Sequence, residues 1–346
     1  MIERVPPLQQ AGCVPLSVVI VSWNGRRYLP ECLDALLPQL PADAEVVLVD
    51  NGSTDGTVEW LRAAYPAVKL IGLRENLGFA GGVNVGLRAA RGELLLLLNN
   101  DAFVEPGFVA ALCEVMQQRD EIGAASAVLT FAHQPQIVAS AGILVRRDGL
   151  ALDLWAGRHI AELPDTPQEI MGPSGGAALY RRALLEDVGL LEPGFFNYLE
   201  DVDLAWRALL RGWRSVVVPQ ARARHVYSAT AGQGSPFKQR LLGLNRLRVI
   251  LRCMPAPLLL RSLPSILAYD ILAVVYGLFT RQPAIAAGRI AALRELPALL
   301  RERRGIQARR RVPLDAIRRW LAPIAFPWSV LREQRALEAI LRERSI

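Results

Sequence analysis

Cysteine and lysine are scarce in this chain of 346 residues, and the few cysteines already remove two classes of protein. The four cysteines, Cys13, Cys32, Cys113 and Cys253, lie far apart. They form no CxxC pair and no ligand cluster, so neither a zinc site nor a disulfide framework is indicated, and a reducing cytosol fits. Lysine occurs only at Lys69 and Lys238. The first strand candidate is not followed by GxGxxG, which argues against a dinucleotide-binding oxidoreductase. It also lacks the glycine-rich basic loop that a sugar nucleotidyltransferase would want. The opening "MIERVPPLQQAGCVPLSVVIVSW" has no basic segment leading into a long apolar one, so no signal peptide is expected. No short repeat or low-complexity tract is visible.

What is present is apolar and unevenly charged. Hydrophobic residues make up 52% of the chain, and the net charge is +7. From Arg246 to the end, 19 arginines face seven acids, giving +12 and leaving −5 for residues 1–245. A basic tail of this kind needs a partner or a solvated face. Its apolar content, without a recognition module, argues against nucleic acid.

Strand and helix patterns alternate through the first half. "PLSVVIVSW", "AEVVLVD", "AVKLIGL" and "ELLLLLNND" read as strands, with helical spacing between them. This order predicts βαβ units and a mostly parallel sheet. The five leucines Leu94–Leu98 are too few to cross a bilayer, which takes roughly 20 residues. A strand buried on both faces accounts for them, although periodicity alone leaves a buried helix open. As a strand, it would carry Asn99, Asn100 and Asp101 to its carboxyl end, where open α/β sheets bind ligands. From Pro236 on, the pattern is helical, and the long apolar stretch Pro257–Phe279 is interrupted by Arg261, Pro264 and Asp270.

Three motifs bear chemistry. In "VVLVDNGSTDGT", Asp50 ends a strand just before a helix, where a carboxylate can accept from a base N–H or ribose hydroxyls and the helix start favours anions. Asp50 and Asp55 serving only as turn and helix caps is the alternative. In "NND", Asp101 can hold Mg²⁺ or Mn²⁺ against a diphosphate, although turns are rich in the same residues. In "GFFNYLEDVDLAW", Glu200 and Asp201 open a helix behind Phe195, Phe196 and Tyr198. An aromatic wall raises a carboxylate pKa toward that of a general base, while plain N-capping is the simpler role.

In this order and spacing the motifs resemble glycosyltransferase family 2 on a GT-A fold, in particular its rhamnosyltransferase-like members. The matching segments are "SVVIVSWNGRRYLPECLDAL", "VVLVDNGSTDGT", "RENLGFAGGVNVGLRAARGELLLLLNND", "GPSGGAALYRRALLEDVGLLEPGFFNYLEDVDLAWRALLRGW" and "ARARHVYSAT", within roughly residues 15–250. The resemblance implies an α/β GT-A domain over residues 12–235, Rossmann-like with helices flanking the sheet. Residues 236–346 then form a basic, amphipathic helical extension.

The implied activity is metal-dependent inverting transfer of a sugar, rhamnose first, from a dTDP- or UDP-linked donor to a glycan or lipid-linked acceptor in cell-surface polysaccharide synthesis. Asp50, Asn76, Gly78, Asn100 and Asp101 are then donor-site residues. Asp101 and His225 are metal ligands, and Asp201 is the base with Glu200 beside it. The family's first carboxylate of the DxD-type motif is replaced here by Asn99. His225 as an ordinary strand-end histidine, and a non-catalytic nucleotide-sugar-binding subunit, are the competing readings. The tail is expected to lie at the inner face of the cell membrane, arginines toward anionic lipid, as a peripheral cytoplasmic protein. Otherwise it packs on the catalytic domain or on a second copy, as a homodimer.

Overall fold

The computed structural model describes residues 15–226 and 235–325. The first half alternates as the sequence predicts: β1 (Leu16–Ser22), α1 (Leu29–Leu36), β2 (Glu45–Asp50), α2 (Thr57–Ala64), β3 (Lys69–Gly72), α3 (Gly78–Ala89) and β4 (Leu94–Asn99). These four strands are parallel in the order β3-β2-β1-β4. The leucine run is indeed a strand buried on both faces. Leu94, Leu96 and Leu98 join one apolar cluster with α1 and α2, while Leu95 and Leu97 join another with α3. Side chains alternate along a strand, so a two-sided core demands an unbroken apolar run.

The chain then adds β5 (Ala102–Val104), α4 (Phe108–Gln118), β6 (Ile122–Phe131), β7 (Gln134–Ser140), β8 (Ile143–Arg146), β9 (Ala151–Asp153), β10 (Gln168–Ile170), β11 (Ala177–Arg181), α5 (Arg182–Val188), α6 (Glu200–Arg211) and β12 (Arg214–His225). The sheet continues past β4 through antiparallel β11, then β6, β12 and β10. The irregular second half expected from the sequence is therefore the antiparallel and mixed side of the same sheet.

Residues 236–325 form α7 (Pro236–Cys253), α8 (Ala256–Phe279), α9 (Ala284–Arg294), α10 (Leu296–Ala308), α11 (Leu314–Arg318) and a short β13 (Leu321–Ala322). β13 pairs with β8 and extends a small sheet, an element the helical pattern did not indicate. Helix α6 is sandwiched. Leu204 and Ala208 face the large sheet, whereas Val202, Trp206 and Leu210 pack with Val249 and Ile250 of α7, Met254 just after it and Ile266 of α8.

The arginines of α7 differ from the sequence expectation, which turned them toward lipid. Arg246 pairs with Asp270 at 2.8 Å and Arg248 with Glu295 at 2.7 Å. Arg252 meets Asp203, Glu192 and Glu302 at 3.2–3.3 Å. Acids from α6, α8, α10 and neighbouring turns converge on this helix, and a desolvated guanidinium requires such partners.

Candidate active site

The register of the parallel strands builds the rim of the site. Ser22 on β1 stands opposite Asp50 on β2, and Val21 stands opposite Asn99 on β4. Asp50 is 2% exposed. Its Oδ2 accepts from the Ser53 amide at 3.0 Å, and its Oδ1 is buried with no hydrogen-bond partner among the described residues. A buried acceptor left open in this way is costly unless a ligand donates to it. Asp55, by contrast, is occupied within its own turn, accepting from the Thr57 amide and hydroxyl and from the Arg26 amide, while the N-cap position of α2 belongs to Gly56.

Asn76 and Gly78 form one turn, with Gly78 buried and Asn76 half-buried. Asn76 Oδ1 accepts from Asn51 Nδ2 at 3.0 Å and from the Gly78 amide at 2.8 Å. Asn51 also donates to the Gly78 carbonyl and accepts from the Leu77 amide. Asn51 was missed from the sequence, although a polar residue directly after a buried strand was the available signal. Asn100 is turned aside, its Nδ2 donating to Ser22 Oγ at 3.0 Å.

Asp101 lies under the end of β12, where His225 pairs with Ala102 of β5. His225 Nε2 is 3.1 Å from Asp101 Oδ1 and 3.2 Å from Asn99 Nδ2. Burial opposes a charge on His225, but the Asp101 carboxylate outweighs it and raises the imidazole pKa. Asn99 Oδ1 is buried with no partner among the described residues. A carboxylate, an imidazole nitrogen and an unsatisfied amide oxygen in one place suit a divalent cation. Among the described residues, no group of three or more His, Cys, Asp or Glu side chains gathers to hold a metal, so a diphosphate and water would have to complete the shell.

The third motif reaches the same rim through the glycine pair. The Asn99 amide donates to the Gly176 carbonyl at 2.9 Å, and the Gly175 amide donates to Asp201 Oδ2 at 2.9 Å. Asp201 is not the N-cap of α6. That position belongs to Leu199, with φ 66°, and no side chain caps the helix. Burial raises the Asp201 pKa, opposed by the Gly175 and Val202 amides and reinforced by the charge of Asp153. Glu200 is 5% exposed, and its Oε2 has no partner among the described residues. Burial, then the Asp201 charge, raises its pKa further. Tyr198 is pushed up to about 12 by burial and by Glu200.

Two neighbours escaped the sequence reading. Asp153, on β9, acts on Asp201, His225 and Lys238. It lies in a segment that offered no pattern. Lys238 sits 5.2 Å from the Tyr198 ring centroid, and burial lowers its pKa.

A parallel half-sheet continued by antiparallel strands, with acids along one rim, defines the GT-A class of fold. The chain superposes on GalNAc-T7 solved with UDP, GalNAc and Mn²⁺ with a TM-score of 0.58 at 20% identity, over 70% of this chain and 48% of that one. It superposes on residues 1–349 of S. aureus TarS at 0.52 and 18% identity, over 85% and 90% of the two chains. These likenesses concern the fold. In sequence, it is 28% identical over 240 residues to the N-acetylglucosaminyl-diphospho-decaprenol L-rhamnosyltransferase of Mycobacterium tuberculosis, covering 63% of this chain and 78% of the relative. YwdF of Bacillus subtilis, described as an uncharacterized glycosyltransferase, is 25% identical over 65% of this chain and 81% of its own length. The profile of glycosyl transferase family 2 matches residues 17–189, half of the chain. The chain belongs to glycosyl transferase family 2.

Proposed function

We propose that the chain is an inverting rhamnosyltransferase taking its sugar from a dTDP- or UDP-linked donor. The acceptor is a lipid-linked glycan hydroxyl in bacterial cell-surface polysaccharide synthesis, with residues 12–235 carrying the chemistry. The observation that carries this reading is the convergence on one sheet rim of a buried, open Asp50 Oδ1, the Asp101–His225 pair and Asp201. The M. tuberculosis relative supports the sugar and the acceptor class.

Asp50 receives an N–H of the base or hydroxyls of the ribose, and the turn of Asn76 and Gly78 shapes the wall beside it. Asp101 and His225, with Asn99 Oδ1, would hold Mg²⁺ or Mn²⁺. When bound, such an ion supplies charge neutralisation to the departing diphosphate. Asp201 accepts the proton of the acceptor hydroxyl as its oxygen attacks the anomeric carbon from the face opposite the leaving group. Asp201 accepts from the Gly175 and Val202 amides, which favour its ionised form, whereas Glu200 Oε2 has no partner among the described residues, so Asp201 is the member of the pair set up as base. Base catalysis contributes about 10²–10⁴-fold.

The protein works at the cytoplasmic membrane face, a reading supported by α8. Within this 24-residue helix an 18-residue window has a mean hydropathy of 1.7, and the helix is long and apolar enough to cross a bilayer. Asp270 within it is held by Arg246 and Arg289 at 2.8 and 2.9 Å, which pins one side of α8 to α7 and α9. Leu260, Leu267, Ile271, Leu278 and Phe279 are exposed, on the face turned away from the buried Leu258, Ser262, Ile266 and Gly277. A helix pinned along one side and apolar along the other suits lying in the interface.

The test is thermal stabilisation by dTDP and UDP with and without Mn²⁺ or Mg²⁺. A ligand at 100 times its Kd adds about 2.7 kcal/mol. Stabilisation of the wild type that is lost in Asp101→Ala supports the donor site, and no stabilisation by any nucleoside diphosphate defeats it. Transfer from dTDP-rhamnose to N-acetylglucosaminyl-diphospho-decaprenol then tests the sugar and acceptor.

A further inference from the structure

The loop that delivers Glu200 and Asp201 to the rim is strained. Phe196, Tyr198 and Leu199 have φ of 62°, 70° and 66°. Non-glycine residues at such angles cost of order 1–3 kcal/mol each and persist only when their surroundings hold them. What holds them here is mainly one side chain of α7. Asn245 is fully buried, and its Nδ2 donates to the carbonyls of Phe195, Asn197 and Tyr198 at 3.0, 3.0 and 2.8 Å. Two amide hydrogens are thus shared among three acceptors, a pattern no other side chain of that size reproduces. The Phe196 carbonyl points the other way and accepts from the Ala80 amide of α3 at 3.2 Å. Asn245 Oδ1 is itself fixed by Arg248 Nη1 at 3.0 Å, and Arg248 also reaches the Gly194 carbonyl. Helix α7 keeps its own place through Arg246–Asp270, Arg248–Glu295 and Arg252–Glu302, so losing the Asn245 amide frees the loop without freeing the helix.

We propose that Asn245 is a positioning residue for the Glu200–Asp201 pair, acting through the carbonyls of residues 195–198. This rests on Asp201 being the base. The C-terminal helices are then part of the catalytic apparatus, because α3 holds only one side of the loop.

The experiment compares wild type, Asn245→Ala, Asn245→Ser and Asp201→Asn as full-length protein. Amide hydrogen exchange reads the loop independently of substrate. In Asn245→Ala, exchange across residues 195–203 quickens at least tenfold while β1 and β4 keep wild-type protection. With dTDP-rhamnose and N-acetylglucosaminyl-diphospho-decaprenol, kcat falls about 10–100-fold, the scale of a roughly 1 Å misplacement. Donor KM and dTDP affinity stay within about threefold. The acid limb of kcat/KM moves to lower pH, because water reaching the loop relieves the burial of the carboxylates. The charged and titratable groups on other elements around them, Asp153, Tyr180 and Lys238, stay in place, while Tyr198 loosens with the loop. Asn245→Ser keeps one donor and falls between, and it decides the question if the alanine variant does not fold. Unchanged loop exchange overturns the proposal. So does wild-type kcat with an unmoved acid limb in a folded Asn245 variant while Asp201→Asn is inactive. Full turnover by Asp201→Asn instead removes the base assignment and leaves the exchange result standing.

Discussion

Gly78 lies against Phe196 so closely that a Cβ at Gly78 would stand 2.4 Å from the Phe196 carbonyl oxygen. Gly78 also has φ 74°, which L-residues rarely adopt. The donor-side turn and the loop before Asp201 are therefore in backbone contact. Gly78→Ala is expected to lose about 1–3 kcal/mol of stability and to lower kcat as well as donor affinity. Urea unfolding with parallel kinetics checks this, and a variant as stable and active as wild type contradicts the contact.

Asp201→Asn keeps the shape of the side chain and loses the base. Turnover should drop about 10²–10⁴-fold, with nucleoside diphosphate binding by calorimetry unchanged. Glu200→Gln should cost much less, since Glu200 Oε2 lacks the amide partners that hold Asp201 in its ionised form.

The pH profile follows from the same burial. A desolvated carboxylate keeps its proton to higher pH, and a protonated Asp201 accepts nothing. The acid limb of kcat/KM should therefore lie above the ordinary carboxylate range, with activity lost as pH falls through it. Asp153→Asn removes a charge that raises the Asp201 pKa, so the limb should move to lower pH. Movement upward would show that Asp153 acts some other way.

Chelation with EDTA should abolish the difference in nucleotide-induced stabilisation between wild type and His225→Ala. Added Mn²⁺ should restore it in the wild type first. Equal stabilisation of both proteins at every metal concentration would remove His225 from the ligand set.

Leu267→Glu together with Ile271→Glu on the outer side of α8 should abolish sedimentation with vesicles containing anionic lipid. Transfer to a water-soluble acceptor analogue should be unaffected. Wild-type binding that weakens with salt fits arginines at the lipid surface, whereas persistent binding by the double variant would place the contact elsewhere.

The sequence by itself determined the sheet and its rim. A short unbroken apolar run such as Leu94–Leu98, set between helical segments, reads as a strand covered on both faces, and polar residues at the ends of parallel strands then gather at one edge. Asp50 and Asp101 stand out for that reason, whereas Asp201, in the first turn of α6, stands out only through the aromatic residues before it and the family resemblance. Tertiary structure decided what periodicity does not encode. It turned the arginines of α7 inward onto acids distant in sequence, brought Asp153 toward the site, and set Asn245 beneath the loop of Glu200 and Asp201. Those partners are fixed by packing between elements, and a single helix face carries no record of which acid or carbonyl will meet it.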